Sequence, residues 1–305
     1  MRIAIVGAGA IGGFLAAALS RAGISVGVVA RGAHLEAIRR HGITVDRSDL
    51  GSFVARVDAS DDLRDLGAID IAILTFKSHQ WPELLPQFES GVTVVTMQNG
   101  VPFWFRRTPP LQSVDPGGAI GACFDDAHTI GGVVHVSGHV VEPGHVHQSG
   151  GTRYVLGGLQ PVSAGLVEGL RSAMHAASLT PEISPNIREL VWLKLVNNVG
   201  LNPVSALHHA TISQMLGDPV LREEVRVLME EALAVGQSLG VVQTVDIDAR
   251  LSYAQRLTDV QTSMLQDTLA GRPLELDPIV GAAVELGTER GVDVSHLRAV
   301  YEQLK

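Results

Sequence analysis

The sequence predicts an α/β chain: a doubly wound parallel sheet over residues 1–184, followed by an all-α domain over 185–305. Three observations carry this prediction. The chain opens with a short apolar strand that runs directly into Gly7-x-Gly9-x-x-Gly12 and a helix. Up to about Ser184, apolar runs of strand length alternate with amphipathic helical runs, which is the pattern of a parallel sheet with crossover helices. Beyond Pro185 the apolar spacing becomes helical throughout, and 305 residues suffice for two separate cores.

The elements follow in order. Ile3, Ala4, Ile5 and Val6 make the first strand. Gly7 lets the chain turn tightly after it, Gly9 omits the Cβ that would block a pyrophosphate, and Gly12 lets the next helix lie close to the strand. Ala10 and Ile11 fall in the first turn of that helix, whose free N–H groups and positive end suit a pyrophosphate. This is a dinucleotide-binding fingerprint of Rossmann type. With Arg2 ahead of it and an apolar run to Leu19, the stretch also imitates a secretory signal peptide, but glycines 7, 9, 12 and 13 interrupt the apolar helix a signal needs. A second buried strand at 24–30 then restores βαβ spacing.

The end of that second strand bears on the nucleotide. NAD sites usually carry Asp or Glu there, to accept from the ribose 2′-hydroxyl; here the chain reads Ala30-Arg31-Gly32. A guanidinium cannot accept that bond but pairs well with a 2′-phosphate, so the expected cofactor is NADP(H). The plainer reading leaves Arg31 as a solvated loop residue. An amphipathic helix at 33–41 and strands at 69–75 and 92–97 extend the sheet, and glycine-broken β runs at 132–136, 140–141, 144–147 and 154–157 read as edge strands. In the second domain Asn186 caps a helix through Val199 that ends or kinks at Asn202-Pro203, while Asp218-Pro219 and Asp277-Pro278 start two more.

Composition narrows the partners. A formal net charge of −9 argues against a nucleic-acid or anionic-membrane surface, and no apolar run reaches the roughly 18 residues of a membrane span. The single cysteine, Cys123, excludes an intrachain disulfide and reads as a small buried residue, so the expected location is the cytoplasm. His135, His139, His145 and His147 fall close together, but no cysteine or helical HxxxH pattern supports them as ligands and no metal is expected.

The helix after Pro185 carries the polar chemistry. Lys194, Asn198 and Asn202 recur every four residues in an otherwise apolar segment, which places them along one face. Such groups are costly to bury without partners, so the stripe either lines a ligand cleft or is a surface lysine with two helix-end asparagines.

Taken together, these motifs resemble the ketopantoate reductase family of NADP-dependent 2-oxo-acid reductases. The resemblance runs along essentially the whole chain: GAGAIG at 7–12, Ala30-Arg31, Lys77 after the third strand, Gln98-Asn99-Gly100 after the fourth, Lys194-Leu-Val-Asn197-Asn198-Val-Gly-Leu-Asn202-Pro203, Ser263-Met-Leu-Gln-Asp267, and Glu275-Leu-Asp277. It implies Lys194 as the catalytic lysine and Glu275 as its partner carboxylate. It also implies Ser263 as a hydroxyl on the substrate carboxylate, with Asn99, Asn198 and Asn202 as amides around the substrate. Arg31, Lys77 and Asn99 would join the glycine loop in holding the cofactor. A homodimer through the helical domain is a further family expectation. Asp277 reads instead as a helix cap, and Asp267 either orients Ser263 or lies on a solvated face.

Two features depart from the family pattern. Phe103, Trp104 and Phe105 follow Asn99-Gly100, and 113–118 is an insert-like run. The aromatics either wall the pocket, which would favour a bulkier 2-oxo acid than ketopantoate, or fill a core. The reading of another class is a nucleotide-binding regulatory or redox-sensing protein without turnover; Lys194, Glu275 and Ser263 together favour the enzyme.

Overall fold

In the computed structural model, residues 1–47, 51–160, 164–256 and 260–305 are described. They divide into two compact units, one of residues 1–98 and 120–187 and one of residues 99–119 and 188–305. The chain thus crosses between units three times, where the sequence reading drew one boundary at 184/185.

The first unit is built on a ten-stranded sheet. Its elements are β1 (Arg2–Val6), α1 (Ala10–Arg21), β2 (Ser25–Val29), α2 (Gly32–His41), β3 (Ile43–Arg47), β4 (Gly51–Ala55), β5 (Asp58–Ser60), β6 (Ile71–Leu74), α3 (Trp81–Leu84), β7 (Thr93–Thr96), α4 (Ala119–Cys123, whose first residue belongs to the other unit), β8 (Thr129–Glu142), β9 (His145–Gly158), α5 (Ala164–Ala176) and β10 (Thr180–Ile183). The strand order is β4-β3-β9-β8-β7-β6-β1-β2-β5, with β10 beside β9. From β8 through β7, β6, β1 and β2 to β5 every pairing is parallel, as continuous apolar runs covered on both faces require. Ile3, Ile5, Ile71, Ile73 and Val95 are fully buried in the core that α1 covers with Phe14, Leu15 and Leu19. Burying each of those three α1 side chains contributes about 1.5–3 kcal/mol, enough to fix the helix against the sheet.

Two parts of this sheet differ from the sequence reading. The separate β runs expected after His128 are two continuous strands, β8 and β9, paired antiparallel with register irregularities near His135, Ser137 and Val140. Breaks that look like turns in the sequence are small residues and bulges within one long ribbon. The β3–β4 hairpin was not anticipated. β3 alternates buried Ile43, Val45 and Arg47 with partly exposed Thr44 and Asp46, so it lacks the uniform apolar run of a central strand.

The second unit is helical: α6 (Ile187–His208, whose first residue belongs to the other unit), α7 (Ile212–Gly217), α8 (Pro219–Ser238), α9 (Ile247–Ala254), α10 (Ser263–Leu269), a π-helical turn (Asp277–Gly281) continuing into α11 (Ala282–Arg290), and α12 (Ser295–Leu304). Asp218 caps α8 as expected, accepting from the N–H groups of Val220 and Leu221 at 2.8 and 3.2 Å. Asp277 does not cap. Its carboxylate accepts from the Tyr301 hydroxyl, and the helical segment already begins at Leu276.

Of the two outcomes expected at Asn202-Pro203, an end or a kink, the end does not occur: α6 continues through Pro203 to His208. A proline inside a helix costs about 3 kcal/mol. Burial of Val199, Val204, Ser205 and Ala206 around it outweighs that cost. The helix lies close on α8 at two glycines: a Cβ on Gly200 would come within 2.4 Å of Met229 Cγ, and one on Gly236 within 2.2 Å of Trp192 Nε1. Trp192 Nε1 donates to the Ala232 carbonyl at 2.9 Å, which locks the rotation of α6. Val191, Trp192, Leu195, Val196 and Val199 therefore face the core, and Leu193, Lys194, Asn197, Asn198 and Leu201 remain partly accessible.

Phe103, Trp104 and Phe105 belong to this core. All three are buried, Trp104 completely, and Phe105 stacks on Trp192 with ring centroids 5.4 Å apart. The Arg188 guanidinium lies over both the Trp104 and Phe105 rings and donates to their backbone carbonyls. The aromatic cluster is thus a packing element of the helical unit. Cys123, expected to be buried, is exposed.

Candidate active site

The first unit carries the glycine loop, and each glycine has its own steric reason. Gly7 has φ +101°, and a Cβ there would lie 2.7 Å from the Phe76 backbone nitrogen. A Cβ on Gly12 would fall 2.0 Å from the Gly7 carbonyl oxygen and 2.4 Å from Thr75 Oγ1, so only glycine lets α1 start this close to the sheet. Gly9 is different. Its two chain neighbours aside, a Cβ there would meet no atom of the described residues within 4 Å, so the side it faces is open for a ligand. Ala10 and Ile11 follow it in the first turn of α1, where backbone N–H groups have no intrahelical acceptor. These features fit a dinucleotide pyrophosphate.

Two side chains that the sequence reading passed over hold this loop in shape. Thr75 Oγ1 donates to the Gly7 carbonyl at 2.6 Å. His34 Nδ1 accepts from the Gly144 N–H at 3.0 Å, which leaves Nε2 as the donor to the Ala8 carbonyl at 2.7 Å. A histidine three residues after Arg31 was the only available signal, and its partners lie far along the chain. Arg31 stands at the N-cap of α2 and is paired with Glu83 of α3, both side chains being well exposed. Lys77 opens the turn after β6, where its N–H donates to Gln80 Oε1 at 3.1 Å. Gln98 Nε2 donates to the Phe76 carbonyl at 2.9 Å, tying the ends of β6 and β7 together.

The second unit assembles the other chemistry. Gly100, at φ +85°, sits so close to the π-helical turn that a Cβ would lie 2.4 Å from the Pro278 carbonyl oxygen, and the Val101 N–H donates to that oxygen at 2.7 Å. This clasp puts Asn99 beside Glu275. Lys194 Nζ donates to Asn99 Oδ1 at 3.0 Å, and Asn99 Nδ2 lies 3.4 Å from Glu275 Oε2. Only this orientation of the amide offers oxygen to the ammonium and N–H to the carboxylate. Glu275 was expected as the partner carboxylate of Lys194, and among the described residues Asn99 stands between the two. The reason is the clasp at Gly100, a contact across 178 residues that no local pattern reveals.

Lys194 keeps some accessible surface, yet its head is enclosed by protein, and removal from water pulls its pKa down to about 8; the Glu275 charge opposes that fall. Glu275 is itself buried. Asn202, 5% exposed, has an Nδ2 with no hydrogen-bond partner among the described residues, a donor a ligand would satisfy. Asn198 is partly exposed on the same face of α6. Ser263 stands exposed at the first turn of α10, with no bond to Lys194, Asn99 or Glu275. Asp267 is buried and accepts from Arg272 Nε at 2.9 Å, so it does not lie on a solvated face.

The histidines at 135–147 separate into local pairs. His145 Nε2 meets Asp46 Oδ2 at 2.7 Å, and His139 and His147 stack with centroids 5.2 Å apart across the β8–β9 ribbon. Among the described residues no group of three or more His, Cys, Asp or Glu side chains is placed to hold a metal ion, and no helix is long and apolar enough to cross a membrane.

Comparison with known proteins places this architecture. The ketopantoate reductase PanE/ApbA model matches residues 3–161, and the model of the C-terminal region of the same family matches residues 186–305. A 2-dehydropantoate 2-reductase from Mesorhizobium japonicum is 39% identical over 94% of this chain and 91% of its own length. The crystal structure of a candidate ketopantoate reductase from Ralstonia solanacearum superposes with a TM-score of 0.91 at 34% identity, covering 99% of this chain and 96% of that one. That of a 2-dehydropantoate 2-reductase from Geobacter metallireducens does so at 0.87 and 28%, covering all of both. With both parts of the family matched in order over nearly its whole length, this chain belongs to the ketopantoate reductase family of oxidoreductases.

Proposed function

We propose that the chain is an NADPH-dependent reductase that converts a 2-oxo acid, 2-dehydropantoate first among the candidates, into its 2-hydroxy acid in the cytoplasm. The observation that carries this reading is the Lys194–Asn99–Glu275 relay, an ammonium poised near neutral pH and held by an amide and a carboxylate. The relatives named above as 2-dehydropantoate 2-reductases support the substrate class.

When bound, the nicotinamide supplies the hydride that the carbonyl carbon accepts. The protein's own part is electrostatic and protonic. Gly7, Gly9, Gly12 and the first turn of α1, with Ala10 and Ile11, would hold the pyrophosphate, Arg31 the 2′-phosphate, and Lys77 a further part of the cofactor. Lys194 polarises the carbonyl oxygen and donates one proton from Nζ as charge develops there, becoming a neutral amine that recovers its proton from water. A lysine with an ordinary pKa near 10.4 would hold its proton too tightly for efficient donation, whereas one near 8 remains charged at neutral pH and gives it up readily. Asn99 fixes the ammonium, Glu275 keeps it charged, and Asn198, Asn202 and Ser263 offer hydrogen bonds to the substrate.

The test is loss of NADPH absorbance with a panel of aliphatic, hydroxylated and aromatic 2-oxo acids. Turnover of 2-dehydropantoate or a close relative supports the reading. NADPH binding with no turnover across the panel would instead favour a nucleotide-sensing protein.

A further inference from the structure

Within the helical unit one partly buried cation lies against the accessible polar face of α6. Arg250, on α9, is partly buried, and Nη1 donates to Asn197 Oδ1 at 3.2 Å. Among the described residues no carboxylate lies within ion-pair distance of it. In the same unit Arg106, Arg226 and Arg272 each pair with at least one Asp or Glu, while Arg222 and Arg298, like Arg250, donate to neutral groups, Gln255 and Thr288, but away from the Lys194 face of α6. Withdrawal from water lowers the pKa of Arg250. Keeping a guanidinium partly out of water with only a neutral amide to meet it is unfavourable unless an anion completes the pair.

Its position gives that anion an identity. Asn197 lies three residues beyond Lys194 on the accessible face of α6, which is an axial rise of about 4.5 Å. In a 2-oxo acid the carbonyl and carboxylate carbons are bonded neighbours, so whatever reads the carboxylate must stand within a few ångströms of the group that protonates the carbonyl oxygen. A guanidinium carries five N–H donors in a planar fork, and the Asn197 oxygen takes only one hydrogen bond. Two parallel donors remain available for a carboxylate. The hydroxyl of Ser263 contributes one donor and no charge.

Building on the reductase reading, we infer that Arg250, held by Asn197, is the cationic residue that recognises the carboxylate of the 2-oxo acid. The test compares wild type, Arg250→Gln and Arg250→Lys on a 2-oxo acid and on its neutral 2-oxo amide, with NADPH affinity and thermal melting measured alongside. Arg250→Gln should raise KM for the acid by about 10- to 150-fold, far more than it lowers kcat, and leave KM for the amide and the Kd of NADPH within about twofold. Arg250→Lys should recover part of the loss, since it restores the charge without the fork. The Kd of the 2-hydroxy acid product, titrated calorimetrically in the presence of NADP, should rise with KM. Equal losses for acid and amide, or an unchanged KM and Kd in both variants, would overturn the inference while leaving the reductase intact. A melting-temperature drop confined to Arg250→Gln, with Arg250→Lys folded and wild-type in KM, would also overturn it. A wild-type protein that reduces no 2-oxo acid sinks both readings.

Discussion

Replacing Glu275 by glutamine removes one negative charge from the relay and keeps its shape. The Lys194 nitrogen and the Glu275 oxygen are bridged by one amide with hydrogen-bond distances of 3.0 and 3.4 Å, so they are no more than about 9 Å apart. At an effective dielectric constant of about 20, unit charges at that distance interact by about 2 kcal/mol, which corresponds to roughly 1 to 1.5 pH units. The sign follows from the chemistry. In the proposed mechanism reduction needs the protonated lysine, so kcat/KM should be high at low pH and fall as pH rises through the lysine pKa of about 8. Glu275 favours the charged form, so Glu275→Gln should move that midpoint downward by about 1 to 1.5 pH units. The assay is kcat/KM for the 2-oxo acid at saturating NADPH from pH 5.5 to 9.5, with Glu275→Asp expected to retain most of the wild-type profile. An unchanged midpoint in Glu275→Gln, or an upward one, would refute the electrostatic account of the relay.

Other outcomes follow from the same geometry. Lys194→Ala should lower kcat by about 10²- to 10⁴-fold while NADPH affinity by fluorescence titration is unchanged, and near-normal turnover would count against the role. Arg31→Ala should weaken NADPH by about ten- to a hundredfold and leave NADH nearly untouched, whereas Glu83→Gln, by freeing Arg31 of its counter-charge, should tighten NADPH; equal effects on both cofactors would make the pair structural. Trp104→Ala should cost about 3–5 kcal/mol of stability in a denaturant melt with no change in the ratio of kcat/KM between aromatic and aliphatic 2-oxo acids, and a changed ratio would return the aromatics to the pocket. Tyr154 is fully buried in the sheet core and its hydroxyl has no partner among the described residues, so Tyr154→Phe should melt at the same temperature or higher.

What the sequence made legible divides along a physical line between near-neighbour and distant interactions. The glycine loop, the parallel strands β1, β2, β6 and β7, and the cap of α8 depend on residues within a few positions of one another, and each left a local pattern. The polar stripe at Lys194, Asn198 and Asn202 was likewise visible from helical spacing. The extent of α6 was not, because Pro203 signals an end or a kink alike, and burial of the following turn carries the helix on to His208. Nor did the sequence tell a core from a pocket wall at Phe103, Trp104 and Phe105, since hydrophobic patterning shows that a side chain will be buried and not against what.

The relay itself shows why the missing part matters for chemistry. Lys194 and Glu275 were identifiable from their motifs, but a direct ion pair and a pair bridged by Asn99 predict different proton donors. A carboxylate at hydrogen-bond distance would hold the ammonium strongly and raise its pKa. Set one amide further away, it offsets only part of the cost of burial, and the lysine settles near 8, where it is charged yet ready to donate. That spacing is imposed by Gly100 against Pro278, two residues with no chemistry of their own. Gly100→Ala should therefore disturb the pH profile of a reaction it never touches: its Cβ would displace Asn99, and the lysine would lose the partner that fixes its distance from Glu275.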